Sequence, residues 1–509
     1  MPKITRFTDL ILDKFWLSAT LLGIGSLGLY LLNSQAYYRA GYPLDDAWIH
    51  QTYARNLAAG YGWTFVKGVP SGGSTSPLWT ILISLGYFLR IPALAWTSIL
   101  GGALLIGCGY LMQSLLQYYP QDIFYKWLPF LFLLEWHFVW AALSGMETIL
   151  GIFMVIALFV FLEKSSLQAW GYGILLGMCV WIRPDLITLI IPVSFELLFR
   201  KKRYQPLSFY IKKIWKDGLQ LTIPLVIILI LYFGFNKMIS GNWLPTTFYA
   251  KQAEYASLRM ALPYWRRFLS LSAQLMVGVG VAFIPAFGYA LVQGVKKTNG
   301  LILGFVVWMV FYIGLYAHNL AVTYQHGRYM MPALAAYYMV SLKGMMLFWG
   351  NQTHPFSKLF WVFHTAWKII LVLLFLGFYL LGGKSYADDV AFIESQMVDT
   401  AKWVSTHTPK NNKIAVHDIG AMGYFSERDL MDLGGLIDPA VIPFIGDEER
   451  LADYLAKQKA DILVCFPGWY PKLTHDQTIL YQAPQPFAQG YALGVMTVYK
   501  WNDTKMFTR

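Results

Sequence analysis

The sequence predicts an all-α polytopic membrane domain of about eleven transmembrane helices, followed by a small extracytoplasmic α/β domain. Three observations predict this. Hydrophobic residues make up 57% of the chain and charged residues only 13%, against about 25% charged in soluble domains. Apolar runs of roughly 20 residues, the length a helix needs to cross the hydrocarbon layer, recur from the N-terminus to about residue 382. Beyond Lys384 the composition turns polar and mixed. A chain this apolar cannot hide its surface in one soluble core.

The expected spans are 15–33, 77–92, 94–117, 127–142, 147–162, 168–199, 218–238, 267–293, 301–320, 328–349 and 359–382. The first follows Lys3, Arg6 and Lys14 and has no small-residue cleavage site, so it reads as a retained helix rather than a cleaved signal. Orientation follows from Lys and Arg, which gather in cytoplasmic loops. Residues 200–216 hold seven of them, and Lys296 and Lys297 mark a second inner loop. The N-terminus is then cytoplasmic. The first outer loop (34–76), the segments 240–265 and 321–327, and everything after Lys384 lie outside. Inner loops account for the net charge of +12, so the expected surroundings are a lipid bilayer and no nucleic acid. The stretch 127–142 is short for a span. The run 168–199 carries Arg183, Pro184 and Asp185 in its middle and reads as one kinked helix or two short ones. Helices broken at membrane depth occur only where they face protein or a wet cavity.

The membrane domain therefore covers 1–383 and the second domain 384–509. In the second, 388–407 has apolar residues at helical spacing, 413–420 reads as a strand ending in a glycine turn, and 447–458 reads as a helix. The segments 460–466 and 491–501 read as strands. About 125 residues suffice for an independent domain. Cys108, Cys179 and Cys465 offer no disulfide framework.

The polar residues raise the functional question. "GYPLDDAWIHQTYARNLAAGYGW" (41–63) puts Asp45 and Asp46 just beyond the first span. One of them suits a helix N-cap. The pair also suits a general base whose proton affinity is raised by its neighbour, or a hard cation. The glycine-punctuated continuation is a structured loop, and its aromatics fit an interfacial belt or a cover over a sugar site. Ionisable residues inside spans are costly and usually functional. Glu135 and His137 read as a mutual pair. Glu147 and Arg183 stand beside Gly145 and Pro184, where helices break, and read as functional. "SGNWLPTTFYAKQAEY" and "YQHGRYMMPAL" place Lys251, His326 and Arg328 on the outer face, against the positive-inside tendency. An anion such as phosphate would give them a reason to be there. Acids, aromatics and phosphate-grade cations on one face suit sugar transfer from a lipid phosphate, with the cations stabilising the leaving group.

Six segments in order resemble one family. "DDAWIHQTYARNLAAGYGWTF" with "GGSTSPLW", then "SGMET", "RPD", "WLPTTFYAK", "HGRYMMPAL" and "VHDIGAMGYF" with "DLMDLGGL" are similar to the GT-C superfamily of membrane glycosyltransferases. The similarity is greatest to the branch with the mycobacterial terminal arabinofuranosyltransferase and relatives of the protein O-mannosyltransferases. It runs from about Asp45 to Asp438. The resemblance implies an inverting transfer from a polyprenyl-phosphate sugar to a cell-envelope glycan or other hydroxyl, with no nucleotide cofactor at the site. It implies a catalytic base at Asp45, with Asp46 supporting it or sharing a divalent cation, whose need stays open. It implies phosphate binding by Lys251, Arg328, Arg183 and His326, and sugar or acceptor contacts from Glu147, Arg55, Trp79 and Tyr249. Ser74 and Met146 depart from the branch, which often has an aromatic and a small apolar residue there. His417 and Asp418, at the end of a strand, read first as a turn. Two rival readings remain. One is a glycan ligase or polymerase using a lipid diphosphate. The other is a lipid-linked sugar transporter, against which stands the lack of paired halves.

Overall fold

The structure is a computed structural model that describes residues 14–116, 123–199, 207–350, 357–487 and 493–502. The basic residues at 200–203 and at Lys3 and Arg6, on which the orientation rests, lie outside the described residues.

The membrane part opens with α1 (Phe15–Tyr37). The loop that follows then folds into α2 (Asp46–Ala58) and a small antiparallel hairpin, β1 (Thr64–Val66) and β2 (Val69–Pro70). There follow α3 (Pro77–Phe88), α4 (Ala93–Leu116), α5 (Ile123–Phe132), α6 (Trp136–Leu143), α7 (Thr148–Lys164), α8 (Ala169–Ile182) and α9 (Ile190–Phe199). The second half comprises α10 (Leu207–Ser240), α11 (Thr246–Glu254), α12 (Ala256–Ala261), α13 (Tyr264–Ala273), α14 (Ile284–Lys297), α15 (Gly300–Asn319), α16 (Met331–Gly350) and α17 (Lys358–Ile393). Among the described residues, seven helical stretches are long and apolar enough to cross a membrane, and α3 and α8 are shorter apolar helices.

Three expected spans are broken. The run 127–142 divides where Glu135 caps α6, accepting from Phe138 N–H, and Glu135 pairs with His137 at 2.8 Å, as expected. The run 168–199 is two helices joined by a 3₁₀ turn, Pro184–Leu189. Arg183 is extended there, because the following proline disfavours the helical region for it. The expected single span 267–293 is also interrupted. Gly278 has φ +78° and 3₁₀ turns fill 274–283 before α14 resumes with Pro285 in its first turn. A positive φ stops a helix.

The last membrane helix runs without a break past residue 384. It continues through a π turn, Glu394–Val398, into α18 (Asp399–His407). The sheet domain contains β3 (Lys413–Val416), α19 (Ile419–Phe425), β4 (Asp429–Asp432), α20 (Glu448–Gln458), β5 (Ile462–Cys465), β6 (Thr478–Gln482) and β7 (Thr497–Lys500). Strand order is β4-β3-β5-β7-β6, with β4, β3 and β5 parallel and β7 antiparallel to both neighbours. Alternation along the strands divides the core. Ile414, Val416, Ile462 and Val464 join the large core that continues into the membrane bundle. Ala415, Leu463 and Cys465 pack on Leu451 and Leu455 of α20.

Polar contacts seat this domain on the bundle. Arg39 pairs with Glu394 at 2.6 Å and Asp399 at 2.5 Å. Arg55 donates to the Tyr424 carbonyl at 2.8 Å and lies over that ring.

Candidate active site

The site starts from two adjacent residues that do different things. Asp45 occupies the N-cap position of α2 but makes no side-chain cap there. Its carboxylate instead accepts from Gly420 N–H (2.7 Å) and Ala421 N–H (2.8 Å) at the start of α19. A Cβ at Gly420 would run into the Asp45 backbone carbonyl, so only glycine permits this approach. Burial pushes the Asp45 carboxyl up to about 6, the two amides oppose this, and the Asp46 charge adds to it.

Asp46 points the other way, into a cavity of about 390 Å³. Its Oδ2 meets Arg328 Nη2 at 2.5 Å and Lys251 Nζ at 3.8 Å. Burial alone would raise its proton affinity, but the Lys251 and Arg328 charges win and hold it well below the usual carboxylate range. Both cations donate to the Tyr329 hydroxyl at 3.0 Å. Arg328 Nη1 is buried with no hydrogen-bond partner. A buried guanidinium nitrogen left unmet is costly, and an anionic ligand beside Arg328 would meet the charge.

Glu147, Arg183, Asp185 and His50 also line the cavity, and the Arg183 guanidinium lies 5.5 Å from the centre of the Tyr329 ring. Gly145, at φ +73°, makes the turn between α6 and α7 that delivers Glu147. Arg183 is forked on Asp185 (3.1 and 3.0 Å) and donates to Tyr316 at 2.5 Å. It also lies 3.6 Å from Glu147. His50 Nε2 is 3.6 Å from Glu147 Oε2, while its Nδ1 meets Thr80 at 3.0 Å and Ser74 at 3.2 Å. Burial lowers the His50 pKa, so the ring tends to neutrality. Leu244, Pro245, Phe248, Leu315 and Leu320 supply apolar walls.

Of the expected residues, Asp46, Lys251, Arg328, Arg183 and Glu147 thus converge on one cavity. Five do not line it. Asp45 is turned toward the sheet domain, where its oxygens accept from Gly420 N–H and Ala421 N–H. Arg55 serves that same docking surface. His326 is held by Asp389 at 2.7 Å between the Trp136 and Trp140 rings. Trp79 is buried and donates to the Gly145 carbonyl. Tyr249 packs on Phe248. Asp45 and Asp46 do not converge as a shared chelate, since the Asp45 oxygens take amide protons and Asp46 Oδ2 takes cations. Among the described residues no group of three or more His, Cys, Asp and Glu is arranged to hold a metal ion. The expectation overlooked His50, Asp185, Tyr329 and Leu436. His50 carried a signal, lying one helical turn after Asp46 on the same face. Leu436 comes from the sheet domain and carried none.

This chain is a mostly helical, multi-pass membrane protein with a small sheet domain, and it shares its fold with solved membrane proteins of GT-C type. ArnT from Cupriavidus metallidurans bound to undecaprenyl phosphate superposes with a TM-score of 0.58 at 11% identity, over 94% of this chain and 97% of that one. Its apo form gives 0.58 at 12% identity with the same coverage. The Archaeoglobus fulgidus oligosaccharyltransferase in its apo form gives 0.53 at 11% identity, over 88% of this chain and 69% of that one. Residues 389–503 match a family described as a domain of unknown function, DUF8728. A 91-residue stretch is 29% identical to the uncharacterized calcium-binding protein C613.03 of Schizosaccharomyces pombe. That match takes in 16% of this chain, which spans 44% of that relative's length.

Proposed function

We propose that this chain is an inverting membrane glycosyltransferase. It moves a sugar from a polyprenyl-phosphate donor to an acceptor hydroxyl at the outer face of the cell membrane. One observation carries the reading: a carboxylate, Asp46, shares a part-apolar cavity with two cations, one of which keeps an unmet N–H. The similarly folded ArnT crystallises with undecaprenyl phosphate bound, which supports a lipid of this kind as ligand.

In this reading Arg328 and Lys251 grip the donor phosphate, and the apolar walls take the first isoprene units. Phosphate binding draws the cations away from Asp46 and restores its proton affinity, so the base is released only when donor is present. The acceptor oxygen attacks the anomeric carbon from the face opposite the phosphate. The new C–O bond forms as the C–O bond to phosphate breaks. The hydroxyl proton passes to Asp46, and the cations take up the charge on the departing phosphate. Asp46 replaces Asp45 as base because it alone of the two opens on the cavity. Glu147, His50 and the Arg183–Asp185 pair stand where donor-sugar hydroxyls would lie.

The test is binding of undecaprenyl phosphate to the purified chain, followed by a panel of polyprenyl-phosphate sugars scored for consumption. Binding should weaken by about tenfold or more in Arg328→Ala and Lys251→Ala, since charged hydrogen bonds are worth that much. No binding, or unchanged binding in both variants, would sink the proposal. Selective turnover of a lipid diphosphate sugar would favour the ligase reading, and lipid movement without turnover the transporter reading.

A further inference from the structure

The chain order β3, β4, β5 becomes the spatial order β4-β3-β5. The connection from β3 runs to one side, and the connection from β4 crosses back to the other. In open α/β sheets such a reversal leaves a crevice outside the carboxyl ends of the strands, and ligands bind there. The groups at those ends come from three loops. His417 and Asp418 follow β3, residues 466–470 follow β5, and residues 433–437 follow β4.

Asp418 Oδ2 is buried and makes no hydrogen bond. The His417 ring lies 4.3 Å from the part-buried Trp469 ring, and its Nδ1 meets the Tyr470 hydroxyl at 2.7 Å. Its Nε2 is 3.9 Å from Glu254 Oε1, three residues beyond Lys251 on α11. Asp432 accepts from Gly434 N–H (2.9 Å) and Ile437 N–H (2.6 Å). That holds the third loop so that Leu436 reaches the wall of the donor cavity. The crevice and the cavity are therefore adjacent, with Asp46 on the cavity side.

We propose that this crevice is the acceptor site and that its ligand is a carbohydrate, with hydroxyls hydrogen-bonded to Asp418 and His417 and one ring face against Trp469. This rests on the transfer reading above. The chemistry favours a sugar because a carboxylate and an imidazole match hydroxyl groups, and an indole matches the apolar face of a pyranose or furanose ring. Neither Lys nor Arg stands among these crevice groups, so an anionic headgroup is a poor fit.

The test uses the full chain in detergent on an array of immobilised glycans, with undecaprenyl phosphate binding measured in parallel. The wild type should capture at least one glycan. Asp418→Asn and Trp469→Ala should each weaken capture by about tenfold or more, the usual effect of losing a buried polar or stacking contact. Trp469→Tyr should retain most of it, and undecaprenyl phosphate binding should be unchanged in all three. Capture of no glycan, or capture indifferent to Asp418→Asn and Trp469→Ala, would overturn the assignment. Loss of glycan capture in those variants, in a protein that never binds undecaprenyl phosphate, would uphold the crevice and sink the transfer reading instead.

Discussion

Asp46→Asn separates the base from the ion pair it makes. The substitution keeps the shape and removes the charge. At 3.8 Å from Lys251, and closer still to Arg328, the carboxylate attracts each cation by about 4 kcal/mol at an effective dielectric near 20, before solvation is counted. Donor phosphate must compete with that attraction. Removing it should leave undecaprenyl phosphate binding equal to wild type or up to about tenfold tighter. Removing the base should slow single-turnover transfer by about 10²–10⁴-fold. Without ligand, the variant strands a buried arginine, a defect worth about 3–5 kcal/mol. Its melting temperature should therefore fall, and undecaprenyl phosphate should restore more of it than in wild type. Transfer within about threefold of wild type would refute the reasoning. So would an inactive Asp45→Asn variant whose sheet domain stays docked by limited proteolysis, because that would return the proton to Asp45.

Three further outcomes follow from the same contacts. Gly420→Ala should drive a methyl group into the Asp45 carbonyl and cost about 1–3 kcal/mol, read as faster hydrogen exchange across 413–425. The His417 pKa is pushed down to about 4 by burial, so the folded protein keeps a neutral ring where the unfolded chain, near 6.5, takes a proton. Wild-type stability relative to His417→Gln should then fall as pH drops from 6.5 to 4, by up to about 3 kcal/mol, and a pH-independent difference in denaturant midpoint would contradict this. The three native cysteines are buried, so added thiols report topology cleanly. Lys67→Cys, in the first outer loop, should react with an impermeant maleimide from outside the cell, and Lys296→Cys only after permeabilisation.

The parts of the site that were legible in the sequence are those where a charge sits in a costly place. Lys251 and Arg328 fall in segments that the Lys and Arg pattern assigns to the outer face, which positive residues avoid, and Glu147 and Arg183 fall in apolar runs beside helix breakers. Those costs are local and visible in one dimension. What stayed hidden was set by partners far along the chain. His326 looked like a phosphate ligand, but Asp389, 63 residues later, claims it. Arg55 and Trp79 read as sugar contacts, yet one docks the sheet domain and the other ties α3 to the turn at Gly145. The short apolar runs at 413–416 and 460–466 read as strands. The reversal of strand order that makes the crevice is a property of connections, which such runs do not encode.

The choice between Asp45 and Asp46 illustrates the same point mechanically. Successive residues on a helix point about 100° apart, so only one of two adjacent carboxylates at the start of α2 can enter the cavity. The sequence between residues 41 and 63 does not say which. The answer comes from Gly420 and Ala421, some 375 residues away, whose N–H groups take Asp45 and thereby fix the rotation of α2. With that rotation set, Asp46 faces Arg328 and Lys251, and His50, one turn later, faces Glu147. In the proposed reading the sheet domain is thus a determinant of where Asp46 points, besides placing Leu436 in the cavity wall. A variant that undocks it should misdirect Asp46 without touching any group in the cavity. Its signature would be a fall in transfer rate larger than any fall in undecaprenyl phosphate affinity, because Arg328 reaches the cavity from the residues before α16 of the membrane bundle, although α11 does meet the sheet domain through Glu254 and His417. If both quantities fell together in Gly420→Ala, the rotation of α2 would not be what the docking controls.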